Sequence, residues 1–149
     1  MHDIRCPLEE AAMLDGFRPA VVSGSQVVSY AEFHQRVARA TSALRRIGCR
    51  PGERVAILAS NGPEYLVWLL AILRLGAVCC PMNTRLPRRT VVDLLRRIDC
   101  RMLVVQAHGQ DDLGDMIREV SAFPSHNLQV IEGHNLTVPE EHLDEDCLG

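Results

Sequence analysis

The sequence contains no lysine, and all 16 of its Lys and Arg residues are therefore arginines. Arginine replaces lysine on many solvated surfaces, but the two are not interchangeable at catalytic or bidentate positions. A reaction that depends on a lysine ammonium group is therefore excluded for this chain by itself. Codon usage in a GC-rich genome is the simpler explanation of the absence.

Aromatic side chains and excess charge are also scarce. Aromatic residues make up 4% of the chain and the formal net charge is -3, so neither base stacking nor a large basic surface is available for nucleic acid. The longest apolar run, residues 65–73, is much shorter than the roughly 20 residues that cross a bilayer. We expect no nucleic-acid partner and no membrane span.

The six cysteines form no C-x-x-C pair and have no zinc-ligand spacing with the six histidines. The sequence shows no secretory signal pattern, so a disulfide framework has no supporting context. We therefore interpret the cysteines as buried thiols, predict no metal site, and expect a cytoplasmic location.

A chain of 149 residues with 47% hydrophobic and 23% charged residues is typical of one globular domain. We expect this single domain to span residues 1–149, with its core at about 19–132. Residues 133–149 are rich in Asp and Glu and poor in large apolar side chains. This segment is predicted to be an acidic, flexible tail.

The amino-terminal third contains local signals for a hairpin and a helix. Two apolar stretches flank Gly24, which is a hairpin signal. Ser29 and Glu32 have the spacing of a capping box, in which the Ser29 hydroxyl accepts from the Glu32 amide and the Glu32 carboxylate reaches the Ser29 amide. Apolar residues then recur every three or four positions as far as Ile47, and Gly48 is suited to end the helix.

Beyond Gly48, short apolar strands alternate with amphipathic or apolar helices. Buried strands are predicted at 54–59, 77–80, 101–106 and 128–131, and helices at 64–75, 87–98 and 111–120. Ser60 or Asn61 is expected to cap the helix at 64–75, which is apolar nearly all round and should be central. Strand and helix in alternation predict an α/β fold with an open, mostly parallel sheet and helices on both faces.

Ligands of open α/β sheets bind at the carboxyl ends of the strands, which directs attention to the loops at 60–62, 82–85 and 107–109. Asn61 precedes a helix, where it either caps the first turn or lies beside an anion site. Arg85 either binds a phosphate with its guanidinium group or is simply solvated. His108 is most simply a surface residue. No G-x-S-x-G, H-E-x-x-H or G-x-G-x-x-G motif occurs.

An ordered series of segments resembles the amino-terminal part of the adenylate-forming superfamily, and within it the acid:CoA ligase branch. These segments lie at 28–33, 43–48, 50–58, 61–65, 75–78, 81–86 and 101–105; they include VSYAEF, RPGERVAIL, NGPEY and PMNTRL. The resemblance covers about residues 19–106 strongly and weakens toward the tail.

The resemblance implies that the complete enzyme makes an acyl-adenylate from a carboxylic acid, ATP and Mg²⁺ and transfers the acyl group to the thiol of CoA. In such enzymes the phosphate loop with its lysine, the Thr-Glu magnesium motif, the ribose-binding aspartate and the lysine of the carboxy-terminal domain all lie further on. None has a counterpart here. By the same resemblance, Arg85 corresponds to a position that contacts the nucleotide phosphates of CoA in some members, although Thr84 replaces a proline often found before it.

Two hypotheses follow from the sequence. In the first, the chain is an amino-terminal fragment of an ATP-dependent acid:CoA ligase, binds no cofactor alone, and is inactive without the remaining portion of the ligase or a separately encoded partner chain. In the second, it is a non-catalytic binding or interaction module derived from that fold.

Overall fold

The computed structural model describes residues 7–106 and 128–132. The described part contains four helices and six strands, and strand and helix alternate from Arg54 to Val105. They are α1 (Pro7–Asp15), β1 (Pro19–Ser23), β2 (Gln26–Ser29), α2 (Tyr30–Arg46), β3 (Arg54–Leu58), α3 (Pro63–Arg74), β4 (Val78–Pro81), α4 (Arg88–Arg97), β5 (Met102–Val105) and β6 (Gln129–Glu132).

The hairpin and the first long helix form as predicted. β1 and β2 pair antiparallel, with Ser23 opposite Gln26 and Gly24 at a φ of 60° in the turn. The Ser29 hydroxyl accepts from the Glu32 amide at 3.3 Å, which is one half of the predicted capping box. The Glu32 carboxylate, by contrast, binds Arg36 at 2.6 Å.

The main sheet has four strands in the order β4-β3-β5-β6, and every neighbouring pair is parallel. One face of the sheet packs on α2 and α3 through a cluster that includes Val55, Ile57 and Trp68. The other face packs on α4 through Ala56, Leu103 and Leu95. This arrangement confirms the predicted open, parallel α/β fold with helices on both faces.

Two local predictions are wrong. The N-cap of α3 is Gly62, which has no side chain to form a cap hydrogen bond, rather than Ser60 or Asn61; Pro63 takes the first helical position. β4 is an edge strand of the described sheet, with Val78 and Pro81 exposed, and not the buried strand that its apolar run predicted. Pairing decides burial, and β4 pairs only with β3 among the described strands.

Other predictions lie outside the described residues. These are the helix at 111–120, the loop with His108, and the acidic tail at 133–149. Within the described ranges, no helix has the length and apolar character needed to cross a membrane.

Candidate functional site

The carboxyl edge of the sheet contains a topological switch point between β3 and β5. These strands are neighbours, yet the chain continues from β3 to β4 on one side and from β5 to β6 on the other. The two connections therefore diverge and leave a crevice at the strand ends, where open α/β sheets bind ligands. The described polar residues at this edge are Ser60, Asn61, Asn83, Thr84, Arg85 and Gln106.

The loop after β4 holds Arg85 at the tip of a tight turn. The Met82 amide donates to the Ile57 carbonyl oxygen at 2.8 Å, which fixes the start of the loop against β3. The Arg85 amide donates to Asn83 Oδ1 at 2.9 Å, and the Leu86 amide to the Asn83 carbonyl oxygen at 3.1 Å. Arg85 is exposed, so a fixed backbone presents its guanidinium group to solvent at the carboxyl edge.

The loop after β3 contradicts the capping interpretation of Asn61. Asn61 is exposed and does not cap α3. The first turn of α3 already carries Glu64, a negative charge that complements the positive end of the helix. Arg36 donates to the Glu64 carboxylate at 3.0 Å, so a second anion would meet an existing ion pair.

The end of β5 adds Gln106 to this edge. Its amide donates to the Leu58 carbonyl oxygen at 3.1 Å, which extends the pairing of β3 and β5 by one residue. Gln106 is not among the predicted site residues, because the apolar pattern predicts a strand at 101–106 that includes it. Its position as the first polar residue after a buried strand was the available signal.

Burial raises the pKa of each of the four described thiols. Cys49 and Cys100 are buried, and Cys79 and Cys80 are half-buried; all four are free. Burial, with smaller effects of Glu53 and Cys100, raises the pKa of Cys49 to about 11. Burial, followed by neighbouring Cys80, raises the pKa of Cys79 to about 11. Both thiols stay protonated near neutral pH, whereas a reactive cysteine needs its thiolate.

A shallow pocket lies at the opposite, amino edge of the sheet, beside the starts of β3 and β5. Its lining includes Glu53, Arg54, Asp99 and Arg101. Because ligands of this sheet type bind at the carboxyl edge, the position of this pocket does not match the predicted site.

The described side chains of the carboxyl edge are mostly neutral and polar. The loops after β3, β4 and β5 offer there one guanidinium group, three amide side chains and two hydroxyl groups. Glu64 at the start of α3 adds a carboxylate that pairs with Arg36, and Glu132 is the last residue of β6. In the ranges 7–106 and 128–132, no three His, Cys, Asp or Glu residues converge closely enough to hold a metal ion. The exposed guanidinium group of Arg85 is suited to an anionic ligand.

Comparison with known proteins identifies the family. Residues 8–147 match the AMP-binding enzyme family. The chain is 37% identical over 90 residues to 3-hydroxybenzoate–CoA ligase of Aromatoleum sp. (strain CIB), a match that covers 60% of this chain and 17% of that protein. It is 49% identical over 67 residues to feruloyl-CoA synthase of Amycolatopsis sp., covering 45% of this chain and 14% of that protein.

The fold is also similar to that of a solved enzyme. The o-succinylbenzoate CoA synthetase of Bacillus subtilis, in complex with its acyl-adenylate intermediate, superposes with a TM-score of 0.72 at 22% identity, covering 87% of this chain and 31% of that one. The same enzyme has been solved with ATP and a magnesium ion. The chain spans less than a third of the length of each of these three proteins. The match over residues 8–147 shows that this chain belongs to the AMP-binding enzyme family.

Proposed function

We propose that this chain forms the amino-terminal α/β part of an ATP-dependent acid:CoA ligase and does not catalyse adenylation by itself. The observation that carries the proposal is the absence of lysine from a chain whose carboxyl edge, in the described residues, presents the exposed Arg85 among mostly neutral polar side chains. The similarity to two ligases that attach CoA to aromatic acids supports the ligase branch.

The electrostatics of adenylation explain the expected inactivity. Attack of a carboxylate on the α-phosphate of ATP develops negative charge that positioned cations must stabilise. The sequence provides no lysine for this purpose. Magnesium prefers carboxylate and other oxygen ligands, and the described residues bring no metal-binding group of side chains together. These residues do not fit Mg²⁺.

The described residues fit CoA better. CoA carries phosphate groups, and a guanidinium group binds phosphate with two parallel hydrogen bonds. Arg85 is exposed at the carboxyl edge, and the turn at Asn83 fixes its backbone. In this proposal Arg85 contacts a CoA phosphate once the rest of the enzyme completes the site, and the carboxylic acid, ATP and Mg²⁺ bind elsewhere in the complete enzyme.

The proposal also includes the organisation of the chain. Residues 1–149 form a single partial domain with its core at about 19–132 and an acidic tail beyond, and the complete ligase acts in the cytoplasm. A non-catalytic interaction module is the second candidate, favoured by the exposed leucines of α3, Leu66 and Leu73.

Pyrophosphate release tests the proposal. The purified chain is incubated with ATP, Mg²⁺ and a panel of aromatic and aliphatic acids, and pyrophosphate is measured by a coupled assay. A full-length feruloyl-CoA synthase serves as the positive control. We expect release by the chain alone to equal the protein-free background, because the cations for phosphoryl chemistry are missing. Acid-dependent release by the isolated chain would contradict the proposal.

A further inference from the structure

The outward face of α3 consists of leucine. Its inward face is formed by buried residues that include Val67, Trp68 and Ala71. At 3.6 residues per turn, the positions opposite this core are Leu66, Leu69, Leu70 and Leu73. Leu69 and Leu70 are half-buried and pack against the core, so we call the exposed pair Leu66 and Leu73 the leucine face. Leu66 is 36% exposed and Leu73 is 53% exposed.

The helix α4 of the same protein shows the usual alternative. Its inward residues Val91, Val92 and Leu95 are buried. The positions that face away from its core are all exposed and mostly charged or polar: Arg89, Thr90, Asp93 and Arg97. A surface helix normally has this division, whereas a helix that is apolar all round is normally covered on both sides. The leucine face is therefore a surface that folding of the described residues leaves uncovered.

Polar contacts at both ends of α3 fix the orientation of this face. Arg36 of α2 binds Glu64 at 3.0 Å, and Arg74 lies 3.3 Å from the His34 ring nitrogen Nε2. Both contacts join α3 to α2. Both contacts leave Leu66 and Leu73 exposed.

Strand addition at the adjacent sheet edge is a poor way to cover this surface. The amides of Val78 and Met82 donate to β3 carbonyl groups, so by the alternation of the ladder the backbone groups of Cys79 and Pro81 face the open edge of β4. Proline has no amide hydrogen, and proline on an edge strand blocks the addition of another strand. The leucine face is therefore more readily covered by side chains that pack against α3.

We propose that the leucine face is the docking surface for the remaining portion of the ligase, and that it packs there against apolar side chains of that portion. This inference rests on the proposed function, because the partner is the rest of the same enzyme. The similar proteins extend far beyond the part that matches this chain, which spans 17% of the Aromatoleum ligase and 31% of the Bacillus enzyme. In an enzyme of that length, more than two thirds of the chain lies outside the matched part. That remainder is large enough to cover the apolar face.

The test measures association with a complementary fragment. The probe is the Amycolatopsis feruloyl-CoA synthase expressed without the segment that aligns with this chain, and the dissociation constant is measured by calorimetry or interferometry. We expect the wild-type chain to bind and Leu66→Gln/Leu73→Gln to weaken binding roughly 30-fold, because both side chains still have apolar surface to bury.

A matched variant distinguishes docking at a specific surface from nonspecific hydrophobic association. Val22 and Val27 are 65% and 56% exposed on the hairpin, so Val22→Gln/Val27→Gln removes the same number of exposed apolar groups elsewhere, and we expect it to bind like the wild type. Equal weakening by both double variants would overturn the proposal. So would self-association of the chain, abolished by Leu66→Gln/Leu73→Gln, without binding to the fragment; a second copy would then cover the face.

A covalent fusion provides a second measurement if the fragment does not fold or does not bind. In the fusion, this chain replaces the equivalent segment of the same synthase, and maleimide labelling of Leu66→Cys is compared with that of Arg89→Cys on the outward face of α4. We expect Leu66→Cys to label at least about tenfold more slowly in the fusion than in the isolated chain, because packing against the remainder excludes the reagent. Arg89→Cys should label equally in both. Equal labelling of Leu66→Cys in both would overturn the proposal.

Catalysis is measured separately, so the two proposals can fail separately. A fusion with a protected leucine face but no CoA thioester formation would contradict the ligase function and leave the docking surface intact. An active fusion in which Leu66→Cys labels as fast as in the isolated chain would contradict the docking surface and leave the ligase function intact.

Discussion

At the scale of single residues, polar contacts between α2 and α3 are partly exposed and contribute more to orientation than to stability. Arg36 bridges Glu32 and Glu64 with a side chain that is 27% exposed. Ion pairs with this much solvent contact contribute about 0–1 kcal/mol. Their main effect is to hold the two helices in one register over the sheet.

His34 is the member of these contacts that responds to pH. Burial, and then the charge of Arg74, lower the pKa of His34 below its ordinary value of 6.5, while Glu9 of α1 opposes them. The unfolded chain takes up this proton near pH 6.5, and the folded chain only at lower pH. Between these values the unfolded state binds more protons, so the free energy of unfolding decreases as the pH falls below 6.5.

The prediction is that His34→Gln reduces this acid sensitivity. Glutamine keeps a polar group near Arg74 but does not titrate. Urea unfolding at pH 7.5 and pH 5.5 should show a larger loss of stability for the wild type than for the variant, since the carboxylates affect both proteins alike. Parallel losses in the two proteins would show that His34 does not contribute.

At the scale of the elements, the start of α2 depends on one side chain. Ser29 has an extended backbone, with φ −74° and ψ 164°, and its hydroxyl accepts from the Glu32 amide. Loss of an N-cap costs about 1 kcal/mol, because a backbone donor in the first turn loses its acceptor. We expect Ser29→Ala to lower the free energy of unfolding by about that amount, measured by urea denaturation.

Ser25→Ala is the matched control for the cap. Ser25 is exposed in the hairpin turn, and the substitution removes the same hydroxyl group where it caps no helix. We expect no change beyond about 0.5 kcal/mol. An equal loss in both variants would mean that the Ser29 hydroxyl contributes nothing specific to α2.

The elements also show how far sequence patterns predict this structure. α2 was predictable because its cap, its apolar period and Gly48 all indicate the same helix. The N-cap of α3 was not predictable, because Ser60, Asn61 and Gly62 are all acceptable N-cap residues. The path of the chain after β3 decides which of them takes that position. The apolar run of β4 fits a central or an edge strand, and only the pairing partners distinguish the two.

The candidate site was predictable in position but not in chemistry. Arg85 follows a strand that ends at the carboxyl edge, so the alternation of strands and helices places it there. Nothing in the spacing of Asn83, Thr84 and Arg85 identifies a phosphate ligand, because one exposed arginine after a strand is common. The role proposed for Arg85 comes from the resemblance to the family, whose remaining site residues are not in this chain.

At the scale of the whole molecule, the helices on the two faces of the sheet have different outer surfaces. On one face, the outer surface of α4 is mostly charged, whereas α3 on the other face exposes Leu66 and Leu73. The carboxyl edge between them carries Arg85. This difference between the two helices is what the proposed docking of α3 explains.

The last prediction concerns Arg85 in the complete enzyme, where its contribution should be confined to the CoA step. In the fusion described above, Arg85→Gln should raise the KM for CoA about tenfold, equivalent to about 1.4 kcal/mol of lost phosphate binding, and leave acid-dependent pyrophosphate release without CoA unchanged. Arg89→Gln removes an exposed arginine nearby on α4 and should change neither quantity. An equal rise in KM with Arg89→Gln would indicate only a general effect of positive charge. A loss of pyrophosphate release with Arg85→Gln would instead assign Arg85 to adenylation, because CoA is absent from that measurement.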